Sequence, residues 1–171
     1  IRDSDNSGPW QVLTPWPNAW WNLNVQLSYW SVYPSNRLEL GMPLVDAIGN
    51  TLDNLINNVP EPYRKDAAAL PVATDFTLTG ATVNVPGTEK KAQVGNLTWI
   101  CHNLWLQYRF SMDESILRNT LYPTLRRAVN FYLPFLTEDK SGKFHLKRTY
   151  SPEYGTAEDC NYDIALLRWG C

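Results

Sequence analysis

No apolar run in this 171-residue chain reaches the roughly 18 to 20 residues that cross a bilayer, so no helical membrane span is expected. Charge of one sign is also missing: fifteen basic residues face seventeen acidic ones, a formal net charge of −2, with no long run of either. Binding along a phosphate backbone draws on a surplus of Lys and Arg, so nucleic acid is not an expected partner. Cysteine is scarce and unpaired in pattern. Cys101, Cys160 and Cys171 are odd in number and lack the spacing of a metal site, which argues against a disulfide framework. They read as small buried hydrophobes. The N-terminus, IRDSDNSG, has no initiator Met, no basic start and no apolar h-region. It reads as a piece of a longer chain whose upstream part could have carried a signal peptide, and a secreted or periplasmic location is the expectation. Residues 1–171 have the size of one ordinary domain, large enough to bury a real core.

What the chain has in quantity is aromatic surface: eight Trp and nine Tyr. Their flat apolar faces fill cores, and they also stack on sugar rings. Residues 1 to 21 show no steady period and predict an ordered coil. NLNVQLSYWSVY then places Leu23, Leu27 and Trp30 on one helical face, closed by Pro34. From about Pro43 to Asn58 a second stripe carries Leu44, Ala47, Ile48, Leu52, Leu55 and Ile56, and Pro60 and Pro62 forbid its continuation. ATDFTLTGATVNVPGTEKK, residues 73–91, predicts a loop excursion with short strands. Helical spacing resumes at Asn96 with Leu97, Ile100, Cys101, Leu104 and Tyr108 on one face and Trp99, His102 and Trp105 at its edge. The next helix has Asp113 as N-cap and Ile116, Leu121, Leu125, Val129 and Tyr132 as its buried side. TEDKSGK is a turn, Phe144 to Tyr150 an extended segment, and DCNYDIALLRWGC the start of a last helix. About five helical stretches joined by turns and loops define a mainly α class built of helical hairpins. The final apolar face needs cover from elsewhere, so an incomplete domain is the simplest account.

Two local groupings carry the types of groups that cleave glycosidic bonds. In TYSPEYG, Pro152 fixes its own φ and pushes Ser151 toward extended geometry, so Glu153 is presented on a stiff loop beside Tyr150 and Tyr154. A carboxyl walled by aromatics resists ionisation and can serve as an acid; the plainer alternative is an exposed loop glutamate. In PWPNAWWNLNVQLSYW, Asn22 and Asn24 flank Leu23 at the mouth of the first helix, where amides either cap the helix or orient a water. Trp16, Trp20 and Trp21 crowd the same place, as core or as sugar-stacking surfaces. His102, three residues after Trp99, reads first as a core group held by hydrogen bonds. Asn96-Leu97-Thr98 is a formal glycosylation acceptor that falls at a helix start, where chance is the simpler reading.

Taken in order, NLNVQLSYW, LTWICHNLWLQYRF, YPTLRRAVNFYLPFL and YSPE resemble the catalytic domain of glycoside hydrolase family 95, the inverting α-L-fucosidases and α-L-galactosidases among the six-hairpin glycosidases. The resemblance covers most of residues 10 to 171. It implies an (α/α)6 toroid of twelve helices, which at one helix per 30 to 35 residues needs on the order of 350 to 400 residues, so this chain would be the first part of such a ring. It implies further that Glu153 is the general acid, that Asn22 and Asn24 hold the attacking water, and that an aspartate on a later helix, beyond Cys171, polarises that pair. Trp20 stands where the family has a histidine of the sugar pocket, which leaves the sugar itself open. Trp20, Trp99 and His102 are the corresponding candidates for substrate binding. Asp159 and Asp163, close to Glu153 in sequence, do not match the family's late aspartate.

The expected partners are an oligosaccharide or polysaccharide substrate and the remainder of the same catalytic domain. No metal or cofactor is implied. The isolated piece is expected to be inactive or nearly so. A non-catalytic carbohydrate-binding module on the same scaffold, or a glycosidase of another six-hairpin family, are the alternatives.

Overall fold

A computed structural model describes residues 19–171; the predicted N-terminal coil up to residue 18, with Trp16, lies outside the described residues. Strand β1 (Ala19–Trp20) pairs antiparallel with β2 (Ala73–Thr74), and helix α1 (Asn24–Trp30) follows directly. Trp21 locks this entry: its N–H donates to the Val72 carbonyl at 2.8 Å and its indole Nε1 to Thr74 Oγ1 at 2.8 Å. The buried face of α1 differs from the predicted one. Val25 and Gln26 are buried, while Leu27 and Trp30 are 41% and 44% exposed. The reason is polar docking that a count of apolar residues cannot register. Gln26 donates to the Trp21 carbonyl, and its own carbonyl accepts from Asn103 Nδ2 at 3.0 Å.

The predicted single helix over 43–58 is two, α2 (Met42–Gly49) and α3 (Leu52–Asn57). Thr51 turns its hydroxyl back to the Ala47 carbonyl at 2.6 Å, a local bond that competes with helix continuation. Leu44, Val45, Ile48 and Leu55 are nevertheless buried, so the apolar stripe survives the break. The excursion over 73–91 is real, and Asn58 ties it down by donating to the carbonyls of Ala69 and Leu78 at 3.3 and 2.9 Å.

Helix α4 (Asn96–Ser111) is the central element, burying Leu97, Ile100, Cys101 and Leu104 as the spacing predicts. It ends on Met112 in the left-handed region, and Asp113 caps α5 (Glu114–Ile116) by accepting from the Ser115 N–H at 2.9 Å. A π-helical turn (Leu117–Leu121) leads into α6 (Tyr122–Tyr132). Pro123 has no N–H to give the helical ladder, and the wider turn, with the Tyr122 N–H bonded to the Leu117 carbonyl, carries the chain past it.

The predicted extended segment 144–150 resolves into parts of two hairpins. Strand β3 (Leu136–Glu138) pairs with β4 (Phe144–Leu146), and β5 (Thr149–Ser151) with β6 (Gly155–Ala157). Helix α7 (Asn161–Gly170) closes the described structure against α4 and α6. One apolar cluster gathers Trp21, Leu44, Ile48, Leu55, Leu97 and Leu104; a second gathers Val59, Val94, Phe131, Phe135, Leu146 and Leu167 beneath the hairpins. Gly95, at the entrance of α4, sets the distance to α7: a Cβ there would lie 2.5 Å from the Tyr162 ring and 2.9 Å from Leu166. The described residues are about half helical, with three short two-stranded sheets among them.

Candidate functional site

Glu153 stands at the tip of the β5–β6 hairpin. Ser151 pairs with Gly155, and the Tyr154 N–H bonds back to the Ser151 carbonyl at 3.3 Å, so Pro152 and Glu153 are the central residues of a tight turn. Pro152 presets the first of these as the sequence predicts. The second, Glu153, takes positive φ at 69°, as the third residue of a type II turn does. A side chain in that region costs about 1–2 kcal/mol relative to the right-handed one, a position where glycine is the ordinary choice. The expected aromatic walls are not formed: Glu153 is exposed and Tyr154 is 94% exposed, because the turn carries both beyond the last strand pair. Tyr150 is half-buried under Lys91, whose Nζ lies 4.7 Å from the ring centre.

The foot of the hairpin is held much more firmly than its tip. The Tyr150 N–H donates to the Ala92 carbonyl at 2.9 Å, and Thr149 Oγ1 donates to Asp163 Oδ2 at 2.6 Å. Asp163 Oδ1 accepts from the Tyr132 hydroxyl at 3.0 Å, which joins α6, α7 and β5 at one buried carboxyl. Burial pushes the Asp163 pKa up to about 6, against the downward pull of the two hydroxyl donors. At the outer end, Asp159 accepts from the Leu146 N–H and from His145 Nδ1, both at 2.7 Å, while His145 Nε2 lies 3.3 Å from Asp139. The carboxylates hold the His145 pKa above its ordinary value, Asp159 foremost.

Neither asparagine caps α1. The residue before the helix is Leu23, in extended backbone and with no capping bond from its side chain. Asn24 opens the helix, and its carbonyl accepts from Ser28 Oγ at 2.8 Å. The Asn22 amide reaches Gln93 Oε1 at 3.4 Å. Gln93 follows Ala92, the residue that receives the Tyr150 N–H, so one short segment contacts both Asn22 and the foot of the glutamate hairpin. A cavity of about 250 Å³, lined by Pro71, Ala73, Val83, Lys91 and Gln93, opens beside that segment.

The three substrate-binding candidates divide. Trp20 pairs with Ala73 in the β1–β2 ladder next to the asparagines. Trp99 meets Tyr162 edge-on at 5.7 Å, and His102 sits between Trp105 and Trp169 at 5.6 and 5.1 Å, in the packing of α4 against α7. Burial lowers the His102 pKa by disfavouring the charged ring. Asn96 is fully buried and donates to the Leu70 carbonyl at 3.2 Å, which removes it as a glycosylation acceptor. Among the described residues, no group of three His, Cys, Asp or Glu is placed to hold a metal, and no helix is long and apolar enough to cross a membrane.

Gln93, Thr149 and Asp163 were not singled out as functional from the sequence. Asp163 looks there like an acidic residue in a helical first turn, which the helix dipole favours without any burial. Only the packing of Tyr132 and Thr149 around it shows otherwise.

A carboxyl presented on a stiff turn, two amides at a helix mouth that do not cap it and a helical scaffold are parts a glycoside hydrolase can use. Residues 7–168 match the glycosyl hydrolase family 95 catalytic domain, and the chain belongs to that family. It is similar to alpha-L-fucosidase 2 of Arabidopsis thaliana, 25% identical over 168 residues, which cover 92% of this chain and 20% of the relative. It is also similar to probable alpha-fucosidase A of Aspergillus niger, 25% identical over 137 residues, covering 78% and 17%. The chain spans about one fifth of the length of these relatives.

Proposed function

We propose that the full-length protein hydrolyses α-L-fucoside or α-L-galactoside-like linkages in an oligosaccharide or polysaccharide, with inversion at the anomeric carbon. The observation that carries this reading is the family match together with the placement of Glu153 at positive φ on a proline-set turn. Backbone held in a costly region persists where the surroundings over-determine it, and such positions cluster at functional sites.

In this mechanism Glu153 is the general acid. Its proton passes to the glycosidic oxygen as the bond to the anomeric carbon lengthens and positive charge spreads over that carbon and the ring oxygen. Asn22 and Asn24 hold a water on the opposite face of the sugar, and its attack completes the displacement. An aspartate contributed from outside these residues polarises that pair and, through it, takes up the proton the water loses. Room for that water sets the two carboxyl groups roughly 6.5 to 9.5 Å apart, against roughly 5 to 5.5 Å in a retaining enzyme. Trp20, Trp99 and His102 are assigned to the sugar pocket, where Trp20 puts a larger, donor-only indole in place of an imidazole.

On this reading the ring is an (α/α)6 toroid to which these residues contribute the first helices, and the 171-residue chain alone turns over little or no substrate. The protein acts outside the cytoplasm, where polymeric sugars are met. The stereochemical outcome tests the mechanism. Proton NMR of the full-length enzyme acting on an aryl α-L-fucoside should show β-L-fucose first, with the α anomer appearing only by mutarotation. Initial release of α-L-fucose would contradict inversion.

A further inference from the structure

The turn that carries Glu153 cannot hold itself. Its hairpin has three residue pairs, and isolated two-stranded ribbons are marginal in water even without a strained turn. Something outside the hairpin must fix it, and the tie nearest the tip that is fully buried is Thr149 Oγ1 to Asp163 Oδ2 at 2.6 Å. Thr149 begins β5, the strand that runs straight into Pro152 and Glu153. Asp163, Thr149 and Tyr132 are all fully buried, and each carboxyl oxygen of Asp163 receives one hydroxyl. A buried carboxyl is a poor way to gain stability, since well-packed apolar groups of the same volume do as well or better. What it supplies is direction: the Thr149 hydroxyl is held on the carboxyl at 2.6 Å in one staggered rotamer, and the strand root is fixed with it.

We propose that Asp163 is a positioning residue for the proton donor, acting through Thr149 to set where the hairpin places the Glu153 carboxyl. This inference rests on the reading of Glu153 as the acid. Asp163 itself touches neither substrate nor reacting atoms. Its contribution is to the alignment of Glu153 with the leaving oxygen, which matters most when that oxygen is a poor leaving group and must be protonated as it departs.

The test uses the full-length enzyme with phenyl and dinitrophenyl α-L-fucosides, whose leaving groups need and do not need the acid. Glu153→Gln is the reference and should lose turnover on the phenyl substrate while largely keeping it on the dinitrophenyl one. Thr149→Val, which keeps the shape and deletes the hydroxyl, should lower kcat on the phenyl substrate roughly 10- to 100-fold, the scale of a misplaced catalytic group, with KM little changed. On the dinitrophenyl substrate it should stay within about threefold, and Thr149→Ser should restore the phenyl rate. Hydrogen exchange gives an independent reading: the Tyr154 amide should exchange faster in Thr149→Val and not in Thr149→Ser. Equal losses on both substrates, or unchanged exchange at Tyr154, would overturn the positioning role while leaving Glu153 as the acid. A Glu153→Gln variant without leaving-group selectivity would overturn the acid assignment, and the positioning role with it.

Discussion

Replacing Asp163 by Asn should change how stability depends on pH, in a direction and window that the burial of this carboxyl fixes. Its pKa is about 6 in the folded protein against an ordinary 3.8. A folded pKa raised above the unfolded one means that the folded state favours the protonated form. The associated stability is fully present below pH 3.8 and is lost as pH rises through about 6. At about 1.4 kcal/mol per pH unit, that difference amounts to about 3 kcal/mol. The replacing asparagine cannot ionise, yet its amide can still accept from Tyr132 and donate to the Thr149 oxygen. Urea unfolding of both proteins from about pH 4 to pH 8 should therefore show the Asp163→Asn variant gaining on the wild type by most of that amount, chiefly below about pH 6.5. His145, Asp139 and Asp159 also titrate with shifted pKa values, but they are present in both proteins and cancel in the difference. A flat difference across the window would refute the reasoning, as would a wild type that gains on the variant with rising pH.

Glu153→Gly should stabilise the fold while abolishing turnover. Relief of the left-handed backbone is worth about 1–2 kcal/mol, and the extra freedom of glycine in the unfolded chain takes back about 0.5–1 kcal/mol, so thermal unfolding should show a small net gain. A net loss would mean that the carboxylate makes stabilising contacts at the tip. Gly95→Ala should destabilise by about 1–3 kcal/mol, the usual effect of overpacking, because its Cβ would meet the Tyr162 ring at 2.5 Å and can be relieved only by moving α7 off α4. Denaturant unfolding of this variant checks it, and an unchanged midpoint would show that the α4–α7 contact yields easily.

The regular parts of the fold were legible because they obey simple rules. The face of α4 follows the helical period with Leu97, Ile100, Cys101 and Leu104, and Asp113 caps where a short acidic side chain precedes a helix. The loop over 73–91 announced itself by Gly80, Gly87 and alternating residues. Legibility failed where polar groups do the packing. Gln26 and Asn103 decide which side of α1 is buried, and a polar residue carries no inward signal in a periodic pattern. The hairpins failed for another reason: strands of two or three residues are too short to show alternation.

At the candidate site, Pro152 marked the presentation of Glu153, but nothing in a glutamate foretells the positive φ it takes at the tip of the hairpin that Ser151 and Gly155 close. The link between the two halves of the site was likewise hidden. Gln93 lies 71 residues from Asn22 in sequence and reaches it only through the folded excursion. Asp163 does not match the family's late aspartate, and only its burial between Tyr132 and Thr149 shows it as an anchored carboxyl at the foot of the hairpin.

The central claim is that Glu153 delivers the proton to the leaving oxygen, and steady-state turnover of a phenyl α-L-fucoside by full-length Glu153→Gln tests it most directly. The account predicts a fall in kcat of roughly 10²- to 10⁴-fold, the contribution of a positioned general acid, with the fold intact. Turnover equal to that of the wild type would contradict it.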